Sequence, residues 1–194
     1  MKSFVMIVAL GFSILFAPSL SAGDLQDLEV GSDAPNFFMG TYNPELSGMK
    51  RVFLDKLVGP KATDKKKLLL LSFFEIDCKP CKKELPFLQK LYSKYKDSGL
   101  AVVVVNCDHE KEKISQAIEY IKKSGYTFPV LKDRFQALQR RYHIRSFPTM
   151  FFIDSQGKVL DVRVGYNEEK RPFPLEKLQK LLGLGTQPSS IPSH

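Results

Sequence analysis

Two stretches of this chain leave little room for any fold but a sheet covered on both sides. Leu68-Leu69-Leu70-Leu71-Ser72-Phe73-Phe74 and Ala101 to Val105 are apolar at almost every position. A strand with one wet face would alternate, and these do not. Between them, from Pro80, Leu85, Leu88, Leu91, Tyr92 and Tyr95 recur at helical spacing, and Ser98-Gly99 closes the pattern. Pro86 lies inside that helix and is expected to kink it. Strand, helix, strand joins two parallel strands through a crossover. Such a sheet needs helices over its faces, so the fold class is α/β.

The remaining pattern extends this plan. The second strand is expected to run to Asn106. Ile114, Ala117, Ile118 and Ile121 mark another helix, ended by Gly125, and Phe128 to Leu131 reads as a short extended piece. A short helix is expected around Phe135 to Tyr142. Thr149 to Ile153 and Val159 to Val164 read as strands joined by the turn Asp154-Ser155-Gln156-Gly157, adding an antiparallel edge. A last helix is expected over Leu175 to Leu182. Upstream, Ala34 to Phe38 and Lys50 to Leu54 read as the short strands of an N-terminal hairpin. No repeat or second domain is visible.

The two ends read differently. Residues 1–22 have the form of an export signal: Lys2, an apolar stretch from Phe4 to Phe16, then the small, turn-prone Pro18 to Gly23. The stretch is short for a membrane span, and retention as an uncleaved anchor is the alternative. No cysteine stands nearby to carry a lipid. Residues 183–194, rich in Gly, Pro and Ser, read as a flexible tail, which leaves 23–182 as the folded domain. A net charge of +8 favours acidic partners, but the lysines are scattered and no nucleic-acid motif is present. Lys65-Lys66-Lys67 is expected in a solvated loop before a strand.

Chemistry centres on Cys78-Lys79-Pro80-Cys81, at the turn from the first apolar run into the helix. Two cysteines so spaced can form and break a disulfide with little backbone motion. Backbone N–H groups and the positive end of the helix dipole favour thiolate at the first sulfur. A permanent bridge or half of a zinc site is the structural alternative; zinc needs two further ligands. The third cysteine, Cys107, ends the second apolar run. It reads as a small, partly buried residue, with a third redox thiol or an intermolecular bridge as sharper readings. Cys107-Asp108-His109 tempts a metal reading but supplies too few ligands for a site.

Three segments together resemble a known family: Gly31-Ser32-Asp33-Ala34-Pro35-Asn36-Phe37, the run Cys78-Lys79-Pro80-Cys81-Lys82-Lys83-Glu84-Leu85-Pro86, and Phe147-Pro148-Thr149 followed by Met150 to Asp154 and Gly157. They resemble the thioredoxin-like fold, and in particular the secreted TlpA/ResA-like thiol–disulfide oxidoreductases, over roughly Gly31 to Leu182. That resemblance implies a mixed central sheet flanked by helices. Departures are plain: Asp77 stands where the family usually has Trp, and Phe73-Phe74 replace a Phe-Trp pair. Glu75 replaces a small residue, and Ser72 stands where thioredoxin has a buried Asp.

The resemblance also implies roles. Cys78 is the attacking nucleophile and Cys81 the buried resolving thiol of a redox-active disulfide. Glu84 corresponds to an acid beneath that disulfide; read from the helix alone, it is a solvated first-turn glutamate. Pro148 matches a cis-proline facing the sulfurs, and Phe147 before it, with Lys79 and Pro80, would meet the client. Glu75 and Asp77 oppose a thiolate while Lys79 favours it. The function implied is secreted, periplasmic or extracytoplasmic protein-disulfide reduction without a cofactor or metal, re-reduced by a membrane electron donor, with an apocytochrome c as one client. Two other readings are a peroxiredoxin-like peroxidase, which needs Thr or Ser where Glu75 stands, and a non-enzymatic binding or metal-carrier module. Arg145 reads as a solvated cation.

Overall fold

A five-stranded mixed sheet carries the molecule in strand order 5-4-3-6-7, and a two-stranded hairpin stands beside it. The computed structural model describes residues 28–167, 169 and 173–185. The elements run β1 (Phe38–Gly40), α1 (Pro44–Ser47), β2 (Arg51–Phe53), α2 (Leu54–Leu57), β3 (Leu68–Phe74), α3 (Lys79–Tyr95), β4 (Leu100–Asn106), α4 (Lys111–Ser124), β5 (Val130–Lys132), α5 (Ala137–Arg141), β6 (Thr149–Asp154), β7 (Val159–Val164) and α6 (Leu175–Leu181). β3, β4 and β5 are parallel, while β6 runs antiparallel to both β3 and β7.

Every residue of β3 and β4 is buried, as their unbroken apolar runs require. The pleat divides them between two cores. Leu68, Leu70 and Phe74 join Val102, Val104, Met150 and Phe152 under α3, α4 and α6. Leu69, Leu71 and Phe73 join Val103, Val105, Phe151 and Ile153 on the other side, covered by the hairpin, α2 and α5. Ser72, at an even position, is the polar member of the row beneath α3.

The N-terminal segment covers parts of both sheet rims, which would otherwise present unpaired backbone. Tyr42 donates its N–H to the Val130 carbonyl at 2.8 Å beside β5, and buried Asn43 bridges the Tyr126 and Phe128 carbonyls and the Val130 N–H. Beside β7, the Gly31 N–H reaches the Val159 carbonyl and the Val159 N–H reaches Ser32. These contacts explain two shifts from the sequence reading. The first hairpin strand begins at Phe38 and not Ala34, because Ala34 donates to Gly157, Pro35 has no N–H, and the Pro35 carbonyl takes the Tyr142 hydroxyl. β5 starts at Val130 because the Tyr126 and Phe128 carbonyls are already spent on Asn43. The one-turn helices α1 and α2 were not legible; α1 opens on Pro44 at its N-terminus and closes on Gly48 in the left-handed region.

α3 continues through Pro86, which sits exposed on its outer face. Lys65 and Lys67 are exposed in the loop before β3, as expected, and Lys66 is half-buried. The export signal expected at 1–22 and residues 186–194 of the expected tail lie outside the described residues. Among the described residues no helix is long and apolar enough to cross a membrane.

Candidate active site

The redox turn is built by the end of one strand and the start of one helix. After Phe74 the chain turns at Glu75–Cys78, closed by the Cys78 N–H to the Glu75 carbonyl at 3.2 Å. Cys78, in extended conformation, caps α3: its sulfur accepts the Cys81 N–H at 3.1 Å. Pro80 in the first turn gives up an N–H that has no helical partner there. Cys78 and Cys81 form a disulfide with their Cα atoms 5.3 Å apart. Cys78 is half-buried and Cys81 fully buried. Lys79 and Pro80 stand exposed between them.

Glu84 is 1% exposed, which overturns the solvated reading. It follows Cys81 by one helical turn on the buried face of α3. The Ser72 hydroxyl donates to its Oε2 at 2.6 Å across the α3–β3 seam. Burial pushes the Glu84 carboxyl up to about 7, against the lowering pull of the Ser72 hydrogen bond and of Arg163. A carboxyl poised there can take a proton near neutral pH and return it.

Sheet register brings the proline loop to the same end. Thr149 pairs with Phe73, so Phe147-Pro148 precede β6 where β3 gives way to the redox turn. The Phe147–Pro148 peptide is cis, and the Pro148 carbonyl accepts the Gly165 N–H at 2.8 Å. Phe147 and Cys78 both pack, half-buried, on the core beneath α3. The carboxyl ends of β3, β4 and β5 also meet here, where open α/β sheets place their sites.

Charge around the turn is more balanced than the sequence suggests. Asp77 pairs with Lys113 of α4 at 3.2 Å, and Lys113 also reaches Glu110 at 3.7 Å. Burial, then Asp108, raises the half-buried Glu75 carboxyl. Asp108, 2% exposed, accepts the Ile76 N–H at 2.9 Å and the Asn106 side-chain amide at 2.6 Å, fastening the redox turn to the end of β4. Sequence reasoning missed Asp108 and Lys113. Both follow the second strand, as a residue at a parallel strand's carboxyl end must to reach this site. Arg145 is exposed, next to the proline loop.

Cys107 is fully buried, free, and lies in the core on the opposite face of the sheet from Cys81. That placement removes it from the pair and corrects the readings that made it a third redox thiol or an intermolecular bridge. Burial, with Asp133, Glu75 and Asp108 adding to it, pushes its thiol well up. Among the described residues no group of three or more His, Cys, Asp or Glu could hold a metal ion.

A thioredoxin-like α/β protein with a CxxC disulfide at the head of its first long helix is thus the class that fold and site define. The AhpC/TSA family model matches residues 30–162, and the chain belongs to that family. Within it, the chain is 34% identical over 161 residues to the thiol-disulfide oxidoreductase ResA of Bacillus subtilis, covering 83% of this chain and 80% of that one. The crystal structure of StoA from Bacillus subtilis superposes with a TM-score of 0.57 at 26% identity, covering 76% of this chain and 96% of StoA. A thiol:disulfide interchange protein from a Bacteroides species gives 0.56 at 27% identity, over 80% and 91%. The protein is a ResA-like thiol–disulfide oxidoreductase.

Proposed function

We propose that this protein reduces disulfides of other proteins outside the cytoplasm, through Cys78 and Cys81 with Glu84 as the proton acceptor of Cys81. The observation that carries the reading is the half-exposed sulfur of Cys78 bridged to a buried Cys81, one helical turn from a buried carboxyl. In the reduced protein the Cys78 thiolate attacks one sulfur of a client disulfide. That S–S bond breaks, the first client sulfur leaves as a thiolate and takes a proton, and a mixed disulfide remains. Cys81 then passes its proton to the Glu84 carboxylate and attacks the Cys78 sulfur. The second client sulfur leaves as a thiolate and takes up the proton that Glu84 releases, and the Cys78–Cys81 disulfide closes. The client gains two electrons and the protein loses them, so a dithiol donor must restore it.

The cis Phe147–Pro148 loop, at the same end of the sheet, supports docking of an extended client segment as an added strand. Lys79 and Pro80, exposed between the sulfurs, and the apolar ring of Phe147 would meet that segment. The signal-like residues 1–22, removed or kept as an anchor, support a periplasmic or other extracytoplasmic location; a membrane donor and an apocytochrome c as one client are what the family resemblance implies. Equilibration of the purified protein with glutathione tests the direction. A potential near or below about −270 mV marks a reductant. A value near about −120 mV marks an oxidant and overturns the reading.

A further inference from the structure

Glu84 projects from α3, but among the described residues the hydrogen bond to its carboxyl comes from a strand. The even row of β3 beneath α3 is Leu68, Leu70, Ser72 and Phe74, and Ser72 is its one polar member, 0% exposed. Its neighbours in the same rung are Val104 of β4 and Met150 of β6, neither of which offers a charge. A hydroxyl buried in such a row must be bonded, and its partner is Glu84 Oε2 at 2.6 Å. We propose that Ser72 is the positioning residue of Glu84: it holds the carboxyl on the α3–β3 seam in both protonation states, so the acid can load and unload a proton without moving from its place one turn after Cys81. This rests on the reading of Glu84 as proton acceptor for Cys81.

A hydroxyl suits the task because it donates and accepts. To the carboxylate, Ser72 donates its O–H. To the protonated acid, the same oxygen accepts the carboxyl O–H after a rotation of its own hydrogen. Neither exchange needs a heavy atom to shift. The bond to the charged form is the stronger of the two, so Ser72 holds the Glu84 pKa below the value burial alone would give. The groups facing Glu84 are few. Ser72 comes from β3, and Arg163 from β7 acts through its charge, one strand beyond Met150 in the same rung. Cys81 comes from Glu84's own helix.

The test compares Ser72→Ala, Ser72→Thr and Ser72→Val in the full-length protein. Thr and Val share a shape and differ by the hydroxyl, so that pair carries the comparison if the Ala variant does not fold. The Glu84 carboxyl carbon is titrated by NMR in the oxidised protein, its signal assigned by Glu84→Gln. The expected result is a midpoint raised by about one pH unit in the Ala and Val variants and near the native one in Thr. The pH profile of insulin reduction should move the same way, and should lose its sensitivity to Ser72 in a Glu84→Gln background. A native midpoint in both Ala and Val, or a Thr variant displaced as far as Val, overturns the proposal. A native protein inert toward insulin, with the Ser72-dependent titration intact, would overturn the reductase reading while bearing out the coupling of Ser72 to Glu84.

Discussion

Cys81 and Cys107 are equally inaccessible, each 0% exposed, yet the molecule treats them as different chemical groups. Cys81 sits in the first turn of α3, bridged to a half-exposed partner and followed one turn later by a buried carboxyl. Cys107 sits just past β4 on the other face of the sheet, its N–H bonded to Phe74, among Leu131, Tyr142 and Val105. The carboxylates around it, Asp133, Glu75 and Asp108, add to burial in holding its proton on. Reactivity therefore follows the neighbours and not the exposure. The comparison breaks most visibly by exchanging the two thiols' fates. Cys81→Ser should abolish multiple-turnover insulin reduction and leave Cys78 trapped in mixed disulfides, visible on non-reducing gels. Cys107→Ala should keep native turnover and cost about 1 kcal/mol of stability in urea unfolding. Loss of turnover in the Cys107 variant would mean the two sites are not separate.

The second test asks whether the carboxyl next to Cys81 is as unusual as its burial implies. Its folded pKa is raised from the ordinary 4.5 to about 7. A carboxyl raised in the folded state stabilises the fold fully below its unfolded pKa, and that contribution is lost as pH rises through the folded one. From pH 4 to pH 8 the native protein should lose on the order of 3 kcal/mol from this group. Glu84→Gln should flatten that part of the profile, read as the difference between the two proteins in urea melts at each pH. Parallel profiles would place the carboxyl in contact with water.

Much of this was legible in the sequence, for reasons that differ by element. β3, α3 and β4 could be read because burial on both faces and a 3.6-residue period leave local marks. The redox pair and the proline loop could be read because the family resemblance joins three short segments distant in the chain. Glu84 could be read as a candidate but not decided, since a glutamate near the start of a helix looks alike whether the helix turns it inward or outward; it stands in the second turn of α3, not the first. What decides it is the Ser72 hydroxyl, twelve residues away and on another element. Asn43, more than eighty residues from the carbonyls it bridges, and Asp108 beneath the redox turn were illegible for the same reason. Each is fixed by tertiary register, which composition and spacing do not carry.

Asp108 links the two sides of the comparison, since it secures the turn that carries Cys78 and stands among the anions around Cys107. Asp108→Ala leaves the Ile76 N–H and the Asn106 amide buried without their acceptor. The expected loss is about 2 kcal/mol in urea unfolding, with faster alkylation of Cys107 in the native protein as its thiol is eased downward. An unchanged midpoint would show that water replaces the carboxylate.

The smallest effect expected is at Lys113, whose ammonium pairs with Asp77 one residue before Cys78. The pair is exposed, so its removal should leave the unfolding midpoint unchanged. Its influence is on charge: with Lys113→Met, Asp77 faces the redox turn uncompensated and opposes the Cys78 thiolate. Alkylation of Cys78 in the reduced protein should slow at low salt. In molar salt, where screening reaches about 3 Å, the native and variant rates should converge. A difference that survives molar salt would mean that Lys113 acts on the shape of the turn and not on its charge. The reactivity of Cys78 would then rest on how α4 packs against the redox turn, with the surface ions contributing nothing to it.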